Sequence, residues 1–100
     1  MADTEYIKHP SLEDRIRVKL VTKKGKVIFF IVQYYAKING KWKTIMRADN
    51  CHGSAHLHKY YLHSPEFKVL LDQDNNLAFN WAREHIQNNF LTVKENYLNN

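Results

Sequence analysis

The sequence contains few residues that break or cross-link a chain: three Gly, two Pro and one Cys in 100 residues. A single Cys excludes an internal disulfide and is typical of proteins in a reducing compartment, so we expect a cytoplasmic location. The low Gly and Pro content, with 44% hydrophobic residues, excludes collagen-like and low-complexity chains. The length favours a single globular domain that spans residues 1–100.

Long apolar runs are also missing. No segment reaches the length that a membrane-spanning helix needs, and none has the charged and then apolar layout of a signal peptide. The sequence therefore predicts a protein that has no membrane partner.

Acidic residues are absent from Arg15 to Ala48, a stretch that holds ten Lys and Arg residues, and the net charge of the chain is +5. A block of one sign on a folded element is typical of a polyanion-binding surface, and RNA is the partner that we expect. The alternative is a set of exposed lysines that protects a sheet edge from aggregation.

The pattern of apolar residues predicts an α+β fold: a four-stranded antiparallel β-meander packed against one long C-terminal α-helix. Residues 1–14 are predicted to be an irregular lead-in, residues 15–71 to form the sheet and residues 77–98 to form the helix. The helix is indicated by apolar residues at spacings of three and four, namely Phe79, Ala82, Ile86, Phe90, Val93 and Tyr97.

Gly25 and Gly40 mark two hairpin turns. A two-residue turn at Gly40 would bury Lys43, Arg47 and Asp49, so three-residue turns with a bulge are predicted. One face of the sheet then forms the core, with Ile16, Val18, Leu20, Ile28, Phe30, Val32, Tyr34, Ala36, Trp42, Met46 and Ala48.

The opposite face is predicted to be basic but to carry a patch of large apolar side chains: Phe29, Ile31, Tyr35 and Ile45. A patch of this kind indicates a cover, which is the helix, a ligand or a second copy of the chain. A homodimer is therefore one expected assembly.

Four of the six His residues lie between His52 and His63, just after Arg47 and Asp49. Several unlike ionisable groups that converge on one face are typical of a functional site. The candidate catalytic residues are Arg47, Asp49, His52, His56, His58 and Tyr60. The candidate nucleic-acid-binding residues are Arg15, Arg17, Lys19, Lys43 and Lys59.

These residue types suit RNA cleavage that needs neither a cofactor nor a metal. Two imidazoles with ordinary pKa values near 6.5 supply the general base and the general acid, and Arg47 supplies a cation for the phosphate. Three alternatives remain open: a zinc or harder metal bound by the His residues and Asp49, phosphate binding without turnover, and a solvent-exposed polar loop.

The string Arg47-Ala-Asp49-Asn-Cys-His52-Gly-x-x-His56-x-His58 stands between a β-hairpin and a C-terminal helix. This arrangement resembles the small TumE-type toxins of prokaryotic toxin–antitoxin pairs and their uncharacterised relatives. The resemblance covers the layout of roughly the whole sheet and helix and is specific only across residues 47–58. It implies an α+β fold, RNA cleavage that arrests growth and an antitoxin protein as partner.

The leading prediction is therefore a toxin-like, RNA-directed protein that acts as a metal-independent endoribonuclease through its His residues. The alternative is a non-catalytic module that binds nucleic acid or protein through the basic sheet face. Fold-level similarity alone does not decide between them.

Overall fold

A computed structural model describes residues 1–60 and 68–99 of the chain. Antiparallel strands form one sheet in chain order, and a helix packs on one side of it. The elements are β1 (Ala2–Ser11), β2 (Asp14–Lys23), β3 (Lys26–Ile38), β4 (Lys41–Asp49), β5 (His56–Lys59), β6 (Lys68–Leu70) and α1 (Asn75–Leu98). The α+β architecture is confirmed, and the predicted meander of four strands is extended by β1 at one edge and β6 at the other.

The predicted irregular lead-in is wrong, because β1 occupies most of residues 1–14. It pairs with β2 from Ala2–Thr22 to Ser11–Asp14, with one bulge between Lys8 and Ser11. Nearly all of its side chains are exposed. No apolar periodicity therefore marks this strand in the sequence, and backbone pairing with β2 holds it in place.

Both hairpin turns contain two residues, Lys24-Gly25 and Asn39-Gly40, so the predicted three-residue turns are also wrong. The φ angles of these four residues lie between 51° and 78°. Positive φ at both central positions is the mark of a type I′ turn, whose twist matches that of the flanking strands.

A bulge in β3 changes which of its first residues face the core. Val21 pairs with Phe29 and Thr22 pairs with Val27, so Ile28 is the extra residue. Ile28 is 43% exposed and Val27 is buried, the reverse of the prediction for these two side chains. The sequence does not reveal this exchange because both residues are apolar and β-branched.

A second bulge, at Ile45 of β4, has the larger consequence for function. Before it, Lys43 pairs with Ala36 and lies on the helix-covered side, whereas Trp42 lies on the opposite side, so both predictions are wrong. Beyond the bulge, Arg47 pairs with Gln33 and Asp49 pairs with Ile31, so both lie on the side of the sheet that faces away from the helix, as predicted. Ile45 itself is fully buried in the core and leaves the predicted apolar patch.

The core lies between the sheet and α1. Phe30 meets Phe79 edge-on with ring centroids 5.7 Å apart, and Tyr34 meets Phe90 in the same way at 5.5 Å. The predicted apolar stripe of the helix is confirmed, since each of its members is buried in this core or packs against it. Such burial is what stabilises a helix in a domain of this size.

The helix begins at Asn75, two residues before the predicted start. The Asp74 carboxylate accepts hydrogen bonds from the backbone N–H groups of Asn76 and Leu77, at 2.8 and 3.2 Å. This is the usual action of an N-cap residue, and the polar turn before the helix supplies it.

A buried polar cluster joins the sheet to the second half of α1. Asp14 accepts hydrogen bonds from the Ser11 and Tyr34 hydroxyls, each at 2.6 Å, and the Lys94 ammonium lies 3.5 Å away. Burial raises the pKa of the Asp14 carboxyl, but the two hydrogen bonds and the Lys94 charge outweigh that effect, so the pKa lies below its ordinary value.

The two sides of the sheet are thus different. The helix side packs against α1, and the open side has no helix against it among residues 1–60 and 68–99. Within the same residues, no helix combines the length and apolar character needed to cross a membrane.

Candidate functional site

The open side is built from cross-strand rows of side chains. One row contains Ile7, Arg17, Gln33, Arg47, His58 and Lys68. The next row contains Glu5, Lys19, Ile31, Asp49, His56 and Leu70. Antiparallel pairing places directly opposite side chains about 5 Å apart at Cβ, so members of one row are neighbours.

Five of the predicted catalytic residues come together on β4, on β5 and just after β5: Arg47, Asp49, His56, His58 and Tyr60, which we name the histidine cluster. Arg47 is directly opposite His58, and Asp49 is directly opposite His56. The two imidazole rings are parallel within 14°, with centroids 6.5 Å apart. The Tyr60 ring follows in the same line, 5.9 Å from His58.

The Arg47–Asp49 ion pair forms one half of the histidine cluster. Arg47 donates from Nε to Asp49 Oδ2 at 2.8 Å, and the Cys51 backbone N–H donates to Asp49 Oδ1 at 3.0 Å. Burial raises the pKa of Asp49, but these hydrogen bonds and the guanidinium charge outweigh it and hold the pKa below its ordinary value. Asp49 is therefore a carboxylate that fixes the position of Arg47.

His58 is the imidazole whose environment is most distinct. Burial lowers the pKa of His58, and the positive charges of Lys68 and Arg47 lower it further, against an opposing effect of Asp49. The neutral ring is thus favoured at neutral pH, which is the form that accepts a proton. His56 is half-exposed, with its Nδ1 3.1 Å from the Ser54 carbonyl oxygen.

His52 is the predicted catalytic residue that the structure leaves outside the cluster. It is exposed in the loop between β4 and β5, where Gly53 has a φ of 95°. His63, the fourth His of the same stretch of sequence, lies outside the described residues. Among the residues that the structure describes, no group of three or more His, Cys, Asp or Glu side chains is placed to hold a metal ion.

The predicted nucleic-acid-binding residues divide between the two sides. Arg15, Arg17 and Lys19 lie on the open side. Lys43 and Lys59 lie on the helix side by register, because Lys43 pairs with Ala36 and Lys59 pairs with Met46. The structure therefore corrects the side that was predicted for Lys43, and both lysines lie on the opposite side of the sheet from the histidine cluster.

One protein-family model matches the whole chain. It is the family model of DUF7718, a domain of unknown function, and it matches residues 1–100. The chain belongs to this family. Searches of curated proteins and of solved structures gave no match.

In this DUF7718 chain, aromatic rings and cations are interleaved on the open side. The Arg15 guanidinium lies over the Trp42 ring, 3.9 Å from its centroid, and the Lys19 ammonium lies 5.9 Å from the Phe29 centroid. Arg17 forms an ion pair with Glu5 at 2.8 Å. Such a surface offers both phosphate contacts and stacking faces.

Sequence reasoning missed two residues of this surface, Trp42 and Lys68. The Ile45 bulge moves Trp42 to the open side, which no pattern in the sequence indicates. Lys68 is directly opposite His58 on β6. The only sign of Lys68 in the sequence is the prediction that the sheet extends to residue 71.

The apolar patch that predicted a homodimer is smaller than expected. Ile45 has left it for the core, and Ile31 is 7% exposed on the open side itself. Phe29 and Tyr35 are half-buried there. Long basic side chains cover apolar neighbours with their aliphatic stems, so this face does not require a second copy of the chain.

Proposed function

We propose that this protein binds single-stranded RNA on the open side of its sheet and cleaves it at the histidine cluster without a metal. The observation that supports this best is the pair of parallel rings of His56 and His58, set beside Asp49 and Arg47 on the basic open side of the sheet. Two imidazoles on one face can supply both the general base and the general acid that metal-free cleavage of RNA requires.

Single-stranded RNA fits this surface better than a duplex does. Unstacked bases can stack on aromatic rings. Tyr60 is 39% exposed, and Trp42 and Tyr35 are half-buried on the open side, at separate points. Arg15 and Lys19 lie on the same side of the neighbouring strand β2, where their charges can contact phosphates.

The proposed reaction is an internal transesterification. Neutral His58 takes the proton of a ribose 2′-hydroxyl, and the 2′ oxygen forms a bond to the adjacent phosphorus. The bond from phosphorus to the 5′ oxygen breaks, and protonated His56 gives its proton to that leaving oxygen. The products are a 2′,3′-cyclic phosphate and a 5′-hydroxyl, and no other reactant is consumed.

The environments of the two rings support this division of roles. His58 is opposite Arg47 and next to Lys68, and these cations favour its neutral form. His56 instead lies directly opposite Asp49 on β4, so the two rings have different neighbours. Two imidazoles in unlike environments are a frequent basis for separate acid and base roles.

Arg47 would bind the phosphate that gains charge in the transition state. Its Nε is held by Asp49, and its Nη2 lies 3.6 Å from the Cys51 sulfur, which is a weak acceptor. Within residues 1–60 and 68–99 the guanidinium donates to no other side chain, so its remaining N–H groups could donate to phosphate oxygens. Asp49 is a positioning residue in this scheme.

The resemblance to TumE-type toxins favours the same activity and adds an antitoxin protein as a proposed partner. A second function is favoured by a different observation. The Arg47–Asp49 ion pair with its Cys51 contact is also a complete structural arrangement, as a non-catalytic RNA-binding surface would need. In that case the protein retains RNA without cutting it.

The test is an incubation of the purified protein with a labelled single-stranded RNA in excess chelator. We expect cleavage with a rate maximum between about pH 5 and 8 and 2′,3′-cyclic phosphate ends. Replacing His58 by Gln should lower the rate by roughly 10²–10⁴-fold. His85→Gln is the matched control, because His85 is on α1, stacked on Trp81 with centroids 4.4 Å apart.

RNA that is bound but never cut would replace the nuclease by the non-catalytic module. Cleavage that requires an added divalent metal would contradict the acid–base scheme. RNA that is neither bound nor cut would overturn both functions.

A further inference from the structure

We infer that the outer edge of β1 joins two copies of this chain into one continuous sheet. Among the described residues, β1 is the end strand of the sheet and pairs only with β2. Nine of its ten residues are exposed, and Tyr6 alone is half-buried. An end strand of this length leaves a long row of backbone N–H and C=O groups that another strand can pair with.

The charges along β1 favour a second copy as the occupant. The first half of the strand carries Asp3 and Glu5, and the second half carries Lys8 and His9. Two such strands in antiparallel order place the acidic half of each opposite the basic half of the other. A parallel arrangement would place like charges opposite each other, which is unfavourable.

Symmetry limits the register. Antiparallel pairing of two identical edges requires a two-fold axis perpendicular to the sheet, so a residue of the open side must pair with a residue of the open side. An axis at Glu5 would set two carboxylates against each other. An axis at Ile7 instead pairs Glu5 with His9 and Tyr6 with Lys8, which is the arrangement that we propose.

Ile7 at the centre of this register is itself informative. It is 51% exposed on an edge strand, where proteins commonly place a charge to prevent pairing. In the proposed dimer its side chain packs against the same residue of the second copy. Pro10 and the bulge beyond Lys8 interrupt the free edge after His9, which limits the pairing to the central residues of β1.

The dimer would also extend the RNA surface, a consequence that depends on the proposed function. The two-fold axis keeps both open sides on the same side of the joined sheet. Arg17 and Lys19 are neighbours of Ile7 and Glu5, so these cations from both copies would flank the joint. The surface would then accept a longer RNA than one copy accepts.

A cross-link tests both the edge and the register. In a Cys51→Ser background, Ile7→Cys should form a disulfide-linked dimer on mild oxidation, because directly opposite Cα atoms lie about 4.5–5.5 Å apart and a disulfide spans that distance. Asp3→Cys is the matched control on the same side of β1. In this register its two copies are about 27 Å apart, from eight residues at strand spacing, and should not cross-link.

Sedimentation of the unmodified chain at tens of micromolar should show a dimer. Ile7→Lys should give a monomer, whereas Leu91→Lys, a change of an exposed apolar residue on α1, should leave the dimer intact. A wild-type monomer, or equal cross-linking of both Cys variants, would overturn the inference. RNA cleavage by the monomeric variant is scored separately, so that a failure of the proposed function does not affect this result.

Discussion

The two sides of the sheet are made by the same strands and have opposite chemistry. Along β2, Ile16 and Val18 face α1 and are buried, whereas Arg15, Arg17 and Lys19 alternate with them on the open side. The helix side is explained by folding, because its side chains fill a core. Folding does not require arginines, histidines and aromatic rings in adjacent rows, so the open side indicates a function.

The largest difference in stability between the two sides is expected when two neighbouring phenylalanines of β3 are each replaced by Ala. Phe30→Ala removes a fully buried ring that contacts Phe79 and should lower the free energy of unfolding by about 3–5 kcal/mol. Phe29→Ala on the open side should cost about 1 kcal/mol. Chemical denaturation measures both, and equal losses would show that the open side is part of the core.

A smaller effect is expected from Arg47→Lys, which keeps the charge of the histidine cluster but loses the planar guanidinium. The loss of a charged hydrogen bond to phosphate corresponds to about 1.5–3 kcal/mol, so the cleavage rate should fall by roughly 10–100-fold. Lys19→Arg is the control with the reverse change on the same side. A rate that is unchanged in the Arg47 variant would remove Arg47 from the proposed mechanism.

Two groups, Asp14 on the helix side and His58 on the open side, should also lose their contributions to stability in different ranges of pH. The pKa of Asp14 is lowered in the folded protein, so its contribution is present above about pH 4 and is lost as the pH falls through the folded value. The pKa of His58 is lowered by burial, so the folded state disfavours the proton and stability falls as the pH drops below about 6.5.

Two variants separate these ranges. Asp14→Asn should reduce the loss below pH 4, to which Asp49 also contributes, and His58→Gln should reduce the loss between about pH 7 and 5. His85 on α1, whose pKa is also lowered by burial, accounts for the remainder of the second range. Urea denaturation at a series of pH values measures both effects, and a wild-type stability that does not change from pH 7 to 5 would contradict the assignment.

Much of this organisation could be predicted from the sequence. The alternation from Ile16 to Leu20 and the apolar stripe from Phe79 to Tyr97 each indicate one element with one buried face, and both are confirmed. The two-residue spacing of His56, His58 and Tyr60 also predicts that these side chains share one side of a strand, and their rings do follow one another in a line. Strands repeat every two residues and helices every 3.6, so the spacing of apolar residues carries this information directly.

The remaining features were not predictable from the pattern. A bulge moves a side chain to the other side without changing composition, so Ile28, Ile45 and Trp42 were assigned to the wrong environments. β1 has no apolar face to detect. The contacts of Asp14 with Tyr34 and Lys94 join residues that are far apart in the sequence, and only the folded chain brings them together.

The most direct test of the account compares the RNA affinity of two matched charge reversals, Lys19→Glu on the open side and Lys43→Glu on the helix side. The wild-type protein, with about four phosphate contacts, should show a slope of roughly −3 for log K against log salt. Lys19→Glu should weaken binding and reduce the magnitude of this slope by about 0.7 or more. Lys43→Glu should leave affinity and slope unchanged. Equal weakening by both variants would mean that RNA responds only to net charge, and the open side would then not be the binding surface.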